Sequence, residues 1–132
     1  MDMDLRDQNK KMGIKRLFNS FKYSFQGLVY AYSKEQSMTI HLTITIFAVA
    51  AGVYFSISLI EWLFILLLIG LIVGTELINT SIEATIDLIS PSIHPLAKIA
   101  KDTASAAVFA LSTVAFVGGI LIFLPKIIDK FF

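Results

Sequence analysis

The 132-residue sequence contains no cysteine, which excludes disulfides, thiolate nucleophiles and cysteine-ligated metal centres. Charge is scarce as well: Asp, Glu, Lys and Arg make up 16% of the chain, where an ordinary soluble domain carries about a quarter. Proline occurs three times, at 91, 95 and 125, and neither an internal repeat nor a second domain is visible. The first thirty residues have no short apolar core followed by a small-residue cleavage site, so a signal peptide is not expected. GxxxxGK[ST], HRD and DFG are all missing, which removes the standard nucleotide-binding signatures. The formal net charge is only +1, and no nucleic-acid partner is expected.

What the chain has in abundance is apolar surface. Hydrophobic residues make up 56% of it and its mean hydropathy is +0.77, which points to an integral membrane protein. Three long apolar runs, 40–60, 62–80 and 104–124, each approach the ~20 residues a helix needs to cross ~30 Å of hydrocarbon. Seven of the eleven Lys and Arg residues (Arg6, Lys10, Lys11, Lys15, Arg16, Lys22 and Lys34) precede residue 38, so the amino end is expected on the cytoplasmic side of the membrane. Three spans then place the turn at Glu61 outside, the 88–101 loop with Lys98 and Lys101 inside, and the carboxyl end outside. Lys126 and Lys130 in that outer tail run against the bias. Pro91 and Pro95 punctuate the inner loop, and Pro125 is expected to close the third span.

Ahead of the spans, residues 1–12 are polar. From Ile14 the apolar side chains fall at Leu17, Phe18, Phe21, Phe25, Leu28, Val29 and Tyr32, with Lys15, Arg16, Asn19, Lys22 and Gln26 on the other face. This period predicts an amphipathic helix over 13–35, with rings and stems in the membrane boundary and charges in water. The expected fold is therefore an all-α integral membrane protein: an amphipathic N-terminal surface helix followed by three transmembrane helices.

The stretch 74–87, GTELINTSIEATID, follows fourteen uncharged residues, Trp62–Thr75, and then carries Glu76, Glu83 and Asp87. On a helix Glu76, Asn79, Glu83 and Asp87 stand at i, i+3, i+7 and i+11, one narrow sector that Thr80 joins. Glu76 lies about 21 Å along the helix from Trp62, inside the inner leaflet, where a carboxylate costs roughly 2.5–3.5 kcal/mol and usually marks a functional site. Two glutamates and an asparagine on one face, with "AKD" at 100–102 nearby, offer hard oxygen ligands for Mg2+ and a polyphosphate. Two classes fit: an enzyme acting on a lipid at the membrane boundary, or a small cation carrier or channel. A channel calls for acidic groups at mid-membrane depth on several spans. The first span after His41 and the third after Ser105 have none until their ends, so the enzyme is favoured. The plainest alternative is that the carboxylates pair with Lys and Arg of neighbouring helices and only hold an assembly together. His41 is expected to hydrogen-bond a neighbour or the interface, and Trp62 to be an interfacial aromatic.

EWLFILLLIGLIVGTELINTSIEATID (61–87) and HPLAKIAKDTASAAVF (94–109), extended by YSFQGL (23–28) and KE (34–35), resemble the small bacterial membrane-integrated lipid kinases of the prokaryotic diacylglycerol kinase and undecaprenol kinase family. The specific part is E-x-x-N-(S/T)-x-I-E-x-x-x-D, then H, then A-K-D. The resemblance implies transfer of the γ-phosphate of ATP, with Mg2+, to a lipid alcohol. It implies that Glu76 is the general base, that Glu35 and Glu83 hold the magnesium, that Lys101 contacts phosphate oxygens and Asp102 the nucleoside, and that Asn79, Asp87 and His94 line the same pocket. Arg16 and Tyr23 match nucleotide-contacting positions, and Ser105 a position near the lipid. The resemblance further implies a homotrimer with sites shared between neighbouring subunits, and Ala104, Ser105, Ala106, Ala107, Gly118 and Gly119 offer small surfaces for close helix approach. Lys34 before Glu35, the stretch QSMTIH (36–41) and the tail LIFLPKI resemble the Gram-positive branch. They imply undecaprenol ahead of diacylglycerol as the substrate.

Overall fold

A computed structural model describes residues 13–90 and 94–132, and the polar stretch 1–12 and Pro91 lie outside it. The described residues form four helices: α1 (Ile14–Lys34), α2 (Gln36–Tyr54), α3 (Leu59–Ile89) and α4 (Pro95–Phe131). The last three are long and apolar enough to cross a membrane, and the protein is a membrane protein with an all-helical fold. α3 has 31 residues, about 46 Å at ~1.5 Å per residue, and so exceeds ~30 Å of hydrocarbon by several turns. This surplus lets one rigid helix carry both an apolar span and the acidic stripe.

The helix ends differ from the expected spans in ways that local chemistry explains. A single extended residue, Glu35 (φ −99°, ψ 116°), separates α1 from α2, and its backbone N–H closes α1 on the Ala31 carbonyl at 2.8 Å. α2 therefore starts at Gln36, before the apolar run at 40, and ends at Tyr54 instead of 60. The turn falls at 55–58, where Ser56 takes a left-handed backbone (φ 49°) and Ser58 begins α3 with a capping box: its hydroxyl accepts from the Glu61 N–H at 3.3 Å, and its own N–H donates to Glu61 Oε2. Phe55 and Ile57 keep this turn apolar, so hydrophobicity alone placed it six residues late.

α4 begins at Pro95, far ahead of its apolar core at 104, because His94 caps it through Nδ1, which accepts the Leu96 N–H at 3.2 Å, and because proline suits the first helical turn. At the other end Pro125 does not close the span: it lies inside α4, which continues to Phe131. A proline removes one N–H donor from the ladder without forbidding the residues after it, and contacts beyond it hold the last turns. Lys126 Nζ pairs with Glu61 Oε1 at 3.0 Å, and Lys130 Nζ lies 3.9 Å from the centre of the Tyr54 ring.

The principal pairing is α3 with α4. Among the described residues the buried apolar side chains are few: Ala31, Met38, Ile57, Ile65, Ala104 and Val108. Gly52 is a close-approach point, since a Cβ there would lie 2.8 Å from the Trp62 ring. Trp62 thus packs over α2 as well as standing near a helix end. Gly118 serves the α3–α4 contact, where its Cβ would meet Leu68 at 3.4 Å.

Candidate active site

α3 continues unbroken through the acidic stripe, which brings Glu76, Asn79, Thr80 and Glu83 onto one face. Among the described residues the buried polar side chains are Glu76 (1% exposed), Asn79 (7%) and Thr80 (6%). The Thr80 hydroxyl donates to the Glu76 carbonyl at 3.0 Å, and Asn79 Nδ2 donates to Glu83 Oε1 at 3.3 Å. His41, one turn into α2, places Nε2 3.2 Å from Glu76 Oε1. Glu76 Oε2 and Asn79 Oδ1 remain buried without a hydrogen-bond partner within the described residues. An unmet buried acceptor costs about 1–3 kcal/mol, so each of these oxygens is open to a donor that the described residues do not supply.

His41, Glu76, Asn79 and Glu83 line one cavity of about 340 Å³. Glu35, Ser37 and His41 contribute from the α1–α2 break and the start of α2, Glu76, Asn79 and Glu83 from α3, and Ser105, Val108, Phe109 and Ser112 from α4. Its volume is at the lower end of ligand pockets, enough for a polar head group. Glu35 reaches it because the extended break turns that residue out of both helices. Burial raises the Glu35 carboxyl above its ordinary pKa, and the negative charges of Glu83 and then Glu76 add to this while Lys101 opposes it. Glu35, Glu76 and Glu83 together make the cavity wall acidic. Glu76 sits about 26 Å along α3 from Leu59, near the far boundary of a ~30 Å hydrocarbon layer.

The structure thus gathers Glu35, Glu76, Asn79, Glu83 and Ser105 at one place. The other expected residues stand outside the cavity wall. Asp87 and Lys101 form an α3–α4 ion pair with Nζ 3.0 and 3.3 Å from the two carboxylate oxygens, and Lys101 still acts on Glu35 through its charge. Asp102 pairs with Lys98 one turn earlier on α4. His94 is occupied as the α4 cap, and Arg16 and Tyr23 are exposed on α1. Sequence reasoning missed Ser37 and Ser112 and left the partner of His41 unspecified. A histidine near the start of an apolar run was the only signal available, and it does not say which helix it faces.

The sequence pattern of the prokaryotic diacylglycerol kinase family matches residues 22–123. The undecaprenol kinase of Bacillus subtilis is 38% identical over 125 residues, which is 95% of this chain and 100% of that protein. A diacylglycerol kinase of Helicobacter pylori (strain 26695) is 40% identical over 98 residues, 74% of this chain and 77% of its own. The diacylglycerol kinase of Escherichia coli K12 is 29% identical over 107 residues, 81% and 88% of the two chains. The chain belongs to the prokaryotic diacylglycerol kinase family and is a lipid kinase.

Proposed function

We propose that the protein transfers the γ-phosphoryl group of ATP to the hydroxyl of a membrane lipid alcohol, undecaprenol ahead of diacylglycerol, at the cytoplasmic face of the bacterial cell membrane. The observation that carries this reading is Glu76: a carboxylate 1% exposed, with one oxygen beside His41 and the other unpartnered, in the wall of a polar cavity. As the lipid oxygen attacks phosphorus, Glu76 Oε2 accepts its proton, and the nucleoside diphosphate leaves with the bonding pair. The depth of Glu76 lets the hydroxyl reach it while the tail stays in hydrocarbon.

Glu35 and Glu83 would hold the magnesium that accompanies the triphosphate. Among the described residues no three His, Asp or Glu side chains form a metal cage, and a two-carboxylate set suits an ion that keeps water and phosphate oxygens as its other ligands. When bound, magnesium offsets the negative charge of the phosphates. Lys101 turns from Asp87 to phosphate oxygens, Asp102 meets the nucleoside, and Asn79, Asp87 and His94 border the nucleotide. Arg16 and Tyr23 reach it from α1, which lies as an amphipathic helix on the inner surface, and Ser105 stands near the lipid. The working unit is a homotrimer with sites shared between neighbours, and undecaprenol is favoured because the likeness to the undecaprenol kinase runs through that protein's whole length.

The test is transfer of labelled γ-phosphate in mixed micelles with undecaprenol and diacylglycerol offered side by side. A higher kcat/KM for undecaprenol is expected, and a preference for diacylglycerol would replace it as substrate. E76Q is expected to lower kcat by about 10²–10⁴-fold while ATP still binds. Normal turnover in E76Q would remove Glu76 as the base, and transfer to neither lipid by the intact protein would reopen the carrier reading.

A further inference from the structure

We infer that His41 is a positioning residue for Glu76, holding one carboxylate oxygen so that the other stays presented to the lipid hydroxyl. This rests on the reading of Glu76 as the base. The two side chains come from different helices, α2 and α3, and meet at 3.2 Å between Nε2 and Oε1. The imidazole is largely enclosed, with 16% of its side chain exposed, and it belongs to the same cavity wall.

The need for such a residue follows from what else surrounds Glu76. At the α1–α2 break and along α3 the facing charges, Glu35 and Glu83, have its own sign. From α4 the facing polar groups are Ser105 and Ser112, both uncharged, and the Ser112 hydroxyl is spent on the Val108 carbonyl at 2.9 Å. Lys101 is engaged with Asp87, Asn79 donates to Glu83, and Thr80 donates to the Glu76 backbone and not to its carboxylate. Among the described residues His41 is the side chain that the structure places against this carboxylate. A carboxylate turns easily about its last torsion, and at 1% exposure water does not fix it. The ring nitrogen of His41, 3.2 Å from Oε1, limits that turn, while Oε2 has no partner among the described residues. His41 acts through Glu76 and not on the reacting atoms, so its loss should slow transfer without weakening the nucleotide, whose proposed anchors Glu35 and Glu83 are unaltered.

The experiment compares H41L, H41Q, H41N and E76Q, purified as full chains in mixed micelles, with the lipid alcohol that the wild type phosphorylates. H41L is expected to lose about 10–100-fold in kcat, with KM for ATP within about twofold of wild type. Gln carries an amide N–H about as far out as Nε2, whereas Asn falls short, so H41Q should recover to within about fivefold of wild type and H41N should not. Wild-type kcat in H41L, a rise in KM for ATP without a fall in kcat, or equal activity in H41Q and H41N would each overturn the inference. The last comparison holds even if H41L does not fold. E76Q separates the two levels: an inactive E76Q beside an unimpaired H41N sinks only the role of His41, and an active E76Q sinks the reading of the base beneath it.

Discussion

Glu35 shows how much one residue's backbone decides. Its side chain enters the cavity because the residue is extended between two helices, a position no helical period announces. The acidic stripe on α3 was legible because i, i+3, i+7 and i+11 define a face whatever the helix packs against, and Glu76, Asn79 and Glu83 do share the cavity. The contact of His41 with Glu76 was not, because it depends on how α2 lies against α3. The raised pKa of Glu35 carries a sign that can be tested. Burial, the largest cause, persists in E83Q, but the repulsion from Glu83 disappears, so Glu35 should titrate at lower pH in E83Q than in wild type. Carboxyl carbon-13 NMR, with E35Q identifying the resonance, measures this. If Glu35 and Glu83 also share the magnesium, both E35Q and E83Q should raise the magnesium concentration needed for half-maximal turnover severalfold. An unchanged metal titration would separate the pair from that role.

At the scale of elements, the number and order of helices could be read from hydrophobic runs, while their ends could not. Each miss has a local cause: an apolar turn at Phe55 and Ile57, a polar first turn of α2 at Gln36 and Ser37, and a proline tolerated within α4. Ser58 and Glu61 did carry the S-x-x-E signature of a helix start, but it lay within a stretch whose apolar character suggested otherwise. The packing of this turn makes a quantitative case at Gly52. Replacing it with alanine gains up to about 1 kcal/mol of helix propensity, yet the new Cβ would stand 2.8 and 3.0 Å from Trp62 ring atoms and 3.0 Å from Ile57. Forcing the indole and the turn apart costs about 1–3 kcal/mol, so the clash should win. G52A is expected to lower the thermal unfolding midpoint in detergent. W62L makes room, and the G52A/W62L pair should be less destabilised than the sum of its single changes. Strict additivity would mean that the two residues do not press on each other.

For the whole molecule, the small set of buried apolar side chains sets the terms. Phe47, Leu63, Phe109, Phe116 and Leu121 all stand exposed on the chain, so lipid or further copies must cover surfaces that the fold leaves bare. Orientation then decides whether the proposed chemistry is possible, because ATP is available only inside the cell. The two lysines that run against the charge bias are paired where the helices meet, Lys126 with Glu61 and Lys130 over Tyr54, which lessens their weight as topology signals. The natural lack of cysteine makes the matter directly measurable. Single cysteines at exposed positions at the two ends of the bundle, L59C and F132C at one and I99C at the other, can be labelled with a membrane-impermeant maleimide in oriented vesicles. With the amino end inside, L59C and F132C should react in right-side-out vesicles and I99C only in inverted ones. The reverse pattern would turn the cavity of Glu35, Glu76 and Glu83 to the outer face, away from any supply of ATP. A kinase that draws on cytoplasmic ATP could not work in that orientation, however well its residues matched.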